Sequence, residues 1–114
     1  MARLPNVSRA VKRWQVPVIL KTVTITSVDF EESKVVNPSP IKAMVQASDI
    51  KKIVKDTIDT DLEYMTFHTL ADTPIENGQF IEFSGKNFKL FGTKNHSQYG
   101  YYKGFGEEHK KALT

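Results

Sequence analysis

The densest hydrophobic patterning in the chain runs from Val16 to Phe30, VPVILKTVTITSVDF, where β-branched residues predominate. Val23, Ile25 and Ser27 alternate with Thr22, Thr24 and Thr26, the period of two that marks a half-buried strand. Glu31-Glu32-Ser33 punctuates this run, and a second extended piece follows to Val36. In Asn37-Pro38-Ser39-Pro40 each proline lacks a backbone donor and biases its predecessor away from helix, so a loop is predicted there. Residues 41–47, IKAMVQA, read as another strand. Ser48 then caps a predicted helix with Ile50, Ile53, Val54 and Ile58 on one face. Asp49 sits favourably near its start, and Lys51, Lys52 and Lys55 line its outer side.

The second half alternates strand and turn. Residues 62–70 form a strand, and Asp72-Thr73-Pro74 turns the chain. Asn77-Gly78 precedes a strand over 80–83, which Ser84-Gly85 joins to a strand over 87–91. The turn glycines Gly78 and Gly85 permit positive φ. Within this hairpin Ile81, Phe83, Phe88 and Leu90 share one face, leaving Phe80 and Phe91 on the other. Residues 99–105 supply a final aromatic strand, and 107–114 a polar tail expected to fray. At the other end Asn6 is a candidate cap for a short helix carrying Val7, Ala10, Val11 and Trp14, with Arg9, Lys12 and Arg13 opposite. Pro17 stops that pattern. About two turns of helix are not stable alone. The arm therefore docks on its own domain, on a neighbouring subunit, or on nucleic acid or a membrane.

These elements predict a mainly β protein: a small antiparallel β-barrel or sandwich of five to six strands with one short helix and an N-terminal arm. The arm covers residues 1–15, the barrel 16–106 and the tail 107–114. A chain of 114 residues suits one domain. With 39% hydrophobic and 25% charged residues, the composition argues against wholesale disorder. The absence of cysteine removes disulfide frameworks, thiolate zinc sites and thiol catalysis. No run approaches the ~20 apolar residues of a membrane span, and the opening MARLPNVSRAVKRW lacks a secretory core. A soluble protein of the cytoplasm is expected.

The net charge of +3 is unevenly placed. Residues 1–28 hold Arg3, Arg9, Lys12, Arg13 and Lys21 without a single acid, and the rest of the chain has 11 bases against 13 acids. Nucleic-acid binders spread positive charge over one face to neutralise several phosphates. Here only the N-terminal segment would attract DNA.

Catalytic constellations are poor. His68 lies mid-strand, a structural position, and His109 stands in a charge run beside Glu107 and Glu108. His96 is close to Ser97, yet no nucleophile elbow surrounds that serine and no nearby acid orients the ring. Asp56, Asp59 and Asp61 lack the glycine and terminal glutamate of a calcium loop. No phosphate-cradling glycine loop is present. No enzyme, no metal and no cofactor are expected. The most informative feature is His96-Ser97-Gln98-Tyr99-Gly100-Tyr101-Tyr102. On a strand Tyr99 and Tyr101 point one way and Tyr102 the other, so three rings do not share one small core. They form a barrel rim, a subunit interface, or a stacking platform for single-stranded nucleic acid of the OB type.

The order of these features resembles a known family. A basic arm ends in Lys12-Arg13-Trp14 and leads into Val18-Ile19-Leu20-Lys21-Thr22-Val23-Thr24. Asn77-Gly78 and the hairpin Phe80-Ile81-Glu82-Phe83-Ser84-Gly85-Lys86-Asn87-Phe88 follow, and Ser97-Gln98-Tyr99-Gly100-Tyr101-Tyr102 closes the series. Over residues 12–103 this resembles the head-to-tail joining proteins of tailed bacteriophages, also called collar, neck, stopper or head-completion proteins. The pattern departs at Gln79, where members often carry aspartate, and at His96, where they often carry tryptophan. The resemblance implies a structural virion protein in the neck, made in the host cytoplasm. It implies a homo-oligomeric ring, a hexamer or dodecamer, between a portal or adaptor protein and a tail-terminator or gateway protein. Genomic DNA would pass through it without specific binding, and no membrane would be involved. On this reading Arg13 and Trp14 dock the arm, Phe80 and Phe91 make subunit contacts or pack outward, and Tyr99, Tyr101 and Tyr102 lie at the rim. The alternative from another class is the OB-type single-strand binder.

Overall fold

The computed structural model describes residues 8–47 and 62–113. The chain opens with a short helix, α1 (Ser8–Arg13), followed by β1 (Gln15–Val28) and β2 (Glu31–Ala47). After the undescribed stretch come β3 (Tyr64–Leu70), β4 (Phe80–Phe83), β5 (Lys86–His96) and β6 (Tyr101–His109). Every pairing is antiparallel, and the order β1-β2-β3-β6-β5-β4 closes when β4 returns to β1. The mainly β barrel expected from the alternation is thus present, with six strands. The predicted helix capped by Ser48, the cap Asn6 and the apolar Val7 lie outside the described residues.

Alternation explains which side chains fill the barrel. Val18 and Leu20 of β1, Ala43 of β2, Phe67 of β3, Ile81 of β4 and Phe88 and Leu90 of β5 are buried together with Ile75. Ile81 pairs directly with Phe88, as the hairpin pattern requires, and Phe83 packs against the cluster from its edge. Phe67 meets Phe88 edge-on at 5.8 Å between ring centroids. Room for these rings comes from Gly106 of β6. A Cβ there would stand 2.5 Å from Phe67 and 2.8 Å from Phe88. At the turns, Gly78 (φ 88°) and Gly85 (φ 78°) take the left-handed backbone expected of them.

Several boundaries differ from the sequence reading, and three of them bear on the surface. Asn37-Pro38-Ser39-Pro40 is not a loop: β2 runs straight through it, with Pro38 opposite Lys21 and Pro40 opposite Ile19. β2 meets β3 only from Met44 onward, so among the described residues no strand pairs with the other side of its earlier part. Prolines two residues apart lose their donors on the same side of a strand, and at an open edge that interrupts no ladder. The tail likewise begins later. Glu107, Glu108 and His109 continue β6 against β3 and β5, where Glu107 accepts the Tyr64 hydroxyl at 2.8 Å. Tyr99 stands outside the last strand, in a single 3-10 turn (Ser97–Tyr99) that Gly100 closes at φ 93°.

β1 and β2 pair along their whole lengths, from Gln15 opposite Met44 to Val28 opposite Glu31. β4 supports β1 only at Ile19, Leu20 and Lys21. Beyond Thr22 no other described strand pairs with these two, and they leave the barrel as a two-stranded ribbon whose root is still bordered by Phe80 and the C-terminal segment. Six further residues at ~3.3 Å each carry its tip about 20 Å outward. The described molecule is accordingly elongated, 58 × 31 × 27 Å.

Candidate functional site

The projecting ribbon carries the surface that its own core does not use. Its turn, Asp29-Phe30, holds both residues at positive φ (52° and 66°), the geometry of a two-residue hairpin turn whose twist matches the strands. Neither residue is glycine or asparagine, so the turn escapes the usual sequence signal and imposes left-handed backbone on a phenylalanine. The Phe30 side chain is fully exposed, at 106%. Val28 is exposed next to it at the tip, and Val35 and Ile25 (57%) are exposed further down, on opposite faces of the ribbon. The Val23/Ile25 alternation thus belongs to the ribbon, which is why a half-buried strand was expected and a largely solvated one is found. Between Lys21 and Lys34 there is no base, while Asp29, Glu31 and Glu32 make the tip acidic.

At the ribbon's root the outer face is better covered. Phe80 lies opposite Lys21 and is only 8% exposed, with His109 edge-on at 5.0 Å. Val23, Ile25, Lys34 and Phe80 line a cavity of about 320 Å³ that Ala112 and Leu113 border from the C-terminal segment. Lys21 reaches Glu82 at 3.2 Å and Asn87 at 3.1 Å, fixing β1 to the β4–β5 hairpin. Phe80 therefore packs outward under its own chain, the second of the two roles expected of it. Phe91 also faces outward, but into an aromatic row. It pairs with Phe105 at 5.8 Å and meets Tyr64 edge-on at 6.3 Å, while Lys103 lies over Phe105 at 5.2 Å.

The tyrosines divide three ways. Tyr99 is half-buried in the 3-10 turn. Tyr102 packs against the core cluster. Tyr101 lies between two imidazoles, stacked on His96 at 4.9 Å and tilted to His68 at 5.9 Å. Burial, with Lys103 and His96 adding to it, pushes the His68 pKa down to about 4. Its buried Nδ1 has no hydrogen-bond partner among the described residues. A proton there would gain no acceptor, so the neutral ring is the stable form. His109 is lowered as well, first by burial and then by Lys89 and Lys111.

At the arm, Val11 is buried as α1 rests on β2 and β3. Trp14 is 63% exposed, with the Arg13 guanidinium 5.5 Å from its ring centre. The arm docks on its own domain through Val11 and leaves Trp14 outside. The predicted site residues Arg13, Trp14, Phe80, Phe91, Tyr99, Tyr101 and Tyr102 are thus not gathered on one surface. The sequence reading missed Phe30 and Val28; a hydrophobic residue flanked by Asp29 and Glu31 between two alternating runs was the available signal. Among the described residues no three His, Asp or Glu side chains converge as metal ligands, and no helix is long and apolar enough to cross a membrane. In comparisons with protein-family models and with curated proteins, nothing matches this chain.

Proposed function

We propose that this protein is a structural subunit of the neck of a tailed bacteriophage, part of a ring that joins the DNA-filled head to the tail and lines or seals the DNA channel. The observation that carries the reading is the ribbon of β1 and β2 with exposed Phe30 at its tip. An isolated barrel gains nothing from a fully solvated phenylalanine on a strained turn, whereas a subunit that must grip neighbours does. The charge pattern agrees. Outside residues 1–28 acids outnumber bases, and the ribbon tip is acidic, so a channel wall built from these parts would let DNA slide. The resemblance over residues 12–103 points the same way. The ring would be hexameric or dodecameric, with a portal or adaptor protein above and a tail-terminator or gateway protein below. Nothing in this role calls for catalysis.

The OB-type alternative draws less support. Tyr101 already stacks on His96 and Tyr102 packs on the core, so two of three rings are engaged within the chain. Electron microscopy of particles made with this gene blocked tests the proposal. Tail-less heads beside free tails are expected; normal tailed, DNA-filled particles would overturn it.

A further inference from the structure

The ribbon tip has a complement on the same molecule, at the other end of the same two strands. Beside the root of β1 lies an open groove of about 440 Å³, in the size range of side-chain and ligand pockets. Its walls are Pro17 and Ile19 of β1, Pro40 of β2, Phe83 of β4, and the turn residues Ser84 and Gly85. Glu82 also lines it, with its carboxylate held by Lys21 at 3.2 Å. Exposed Lys42 is the cross-strand partner of Pro17, and α1 brings exposed Lys12 and Arg13 to the start of β1. The groove is therefore largely apolar, with exposed Lys42 beside Pro17 at its edge and Glu82 neutralised by Lys21, and the tip is apolar with acidic neighbours.

A molecule cannot satisfy its own groove, because paired strands hold the two features apart. From Ile19 to Val28 is nine residues, about 30 Å at ~3.3 Å each. That separation runs along the strands that give the molecule its long dimension of 58 Å, so only another copy can bring a tip to the groove.

We infer that Phe30 of one copy seats in the groove between Ile19, Pro40 and Phe83 of the next, with Asp29, Glu31 and Glu32 facing Lys42 and the basic end of α1. The contact uses different surfaces on its two sides, so repeated by a rotation that closes it builds a ring, and without closure a filament. This deepens the ring reading above and rests on it, since it supplies the contact by which such a ring holds together.

Cross-linking of the full chain tests the contact, and the natural absence of cysteine makes the background clean. Ser27→Cys sits at the tip, Ser84→Cys lines the groove, and both keep the side-chain size. Mixed and treated with a short bismaleimide, the two variants should give a linked dimer that neither gives alone. Adding Phe30→Ala to the tip variant should abolish the product and raise the dissociation constant of self-association at least about tenfold by sedimentation. Because Phe30 is fully exposed, that change leaves the barrel intact. Linkage of Ser27→Cys to itself, product formation that ignores Phe30, or a native chain that stays monomeric at concentrations on the order of 1 mM overturns the inference. The gene-block experiment fails separately. Normal particles alongside a positive cross-link would discard the neck and keep the contact, whereas tail-less particles alongside a monomeric chain would do the reverse.

Discussion

Individual residues in this barrel are constrained most where the backbone gives way to rings. Gly106 is such a position, since any Cβ would enter the space of Phe67 and meet the Cβ of Phe88, which the backbone fixes. Gly106→Ala should therefore cost about 1–3 kcal/mol by overpacking, lowering the melting temperature by roughly 5–20 °C. Gly104→Ala should cost less, because its nearest neighbours are methyl ends of Thr93 and Ile75 at 3.1 and 3.2 Å. Equal melting shifts for the two would refute this account of the core. His68 sets a pH dependence of definite sign. Its pKa falls from 6.5 to about 4 on folding, so between those values the unfolded chain binds more protons than the folded one. Stability is then full above about pH 6.5 and declines as pH drops toward 4, by roughly 1–2 kcal/mol once solvent screening of the partly buried ring is allowed for. His109, shifted in the same direction, adds to the slope. Urea midpoints measured from pH 4 to 7 should show the decline, and His68→Phe should flatten it.

Among the elements, the β4–β5 hairpin was the most legible in sequence and the β1–β2 ribbon the least. Asn77-Gly78, Ser84-Gly85 and the alternation of Ile81, Phe83, Phe88 and Leu90 state local rules that the structure obeys, because both turns and the buried face lie within a few residues of one another. The ribbon breaks two local rules for non-local reasons. Pro38 and Pro40 stay in a strand because no third strand demands their missing donors. Asp29-Phe30 turns without glycine, and nothing in the residue types announces that Val23 and Ile25 leave the barrel. Trp14, picked from sequence for the arm, is exposed; Phe80, assigned to a subunit contact or to outward packing, is covered by a C-terminal segment read as a fraying tail. If the strained turn is kept for what Phe30 does, relieving it should separate stability from assembly. Replacing Asp29 with Asn and Phe30 with Gly supplies the residues that this turn favours and should stabilise the ribbon by about 1–2 kcal/mol. Amide exchange over residues 24–33 should slow severalfold while self-association disappears. A variant that assembles normally would show that the turn, not the ring of Phe30, is what the ribbon needs.

At the scale of the whole molecule, the acidic tip of the ribbon stands far from the bases near its root. Arg13 and Lys42 stand near the root of the ribbon, and Asp29, Glu31 and Glu32 at the tip, about 30 Å away along strands rising ~3.3 Å per residue. Inside one copy these charges are several Debye lengths apart at physiological salt, where screening sets in near 8 Å, so they contribute little to folding. Between copies arranged tip to groove they come within contact range, and there salt should matter. Raising sodium chloride from 50 to 300 mM should weaken self-association severalfold while leaving the melting temperature of the barrel nearly unchanged. The same titration separates this protein from a nucleic-acid binder. A single-strand binder would lose oligonucleotide affinity steeply with salt, whereas here oligonucleotide binding should be weak at every salt and vanish when Lys12 and Arg13 are made alanine. Self-association that strengthens with salt would mean that burial of Phe30 and Val28 acts alone and that the acidic tip serves something other than the neighbouring subunit.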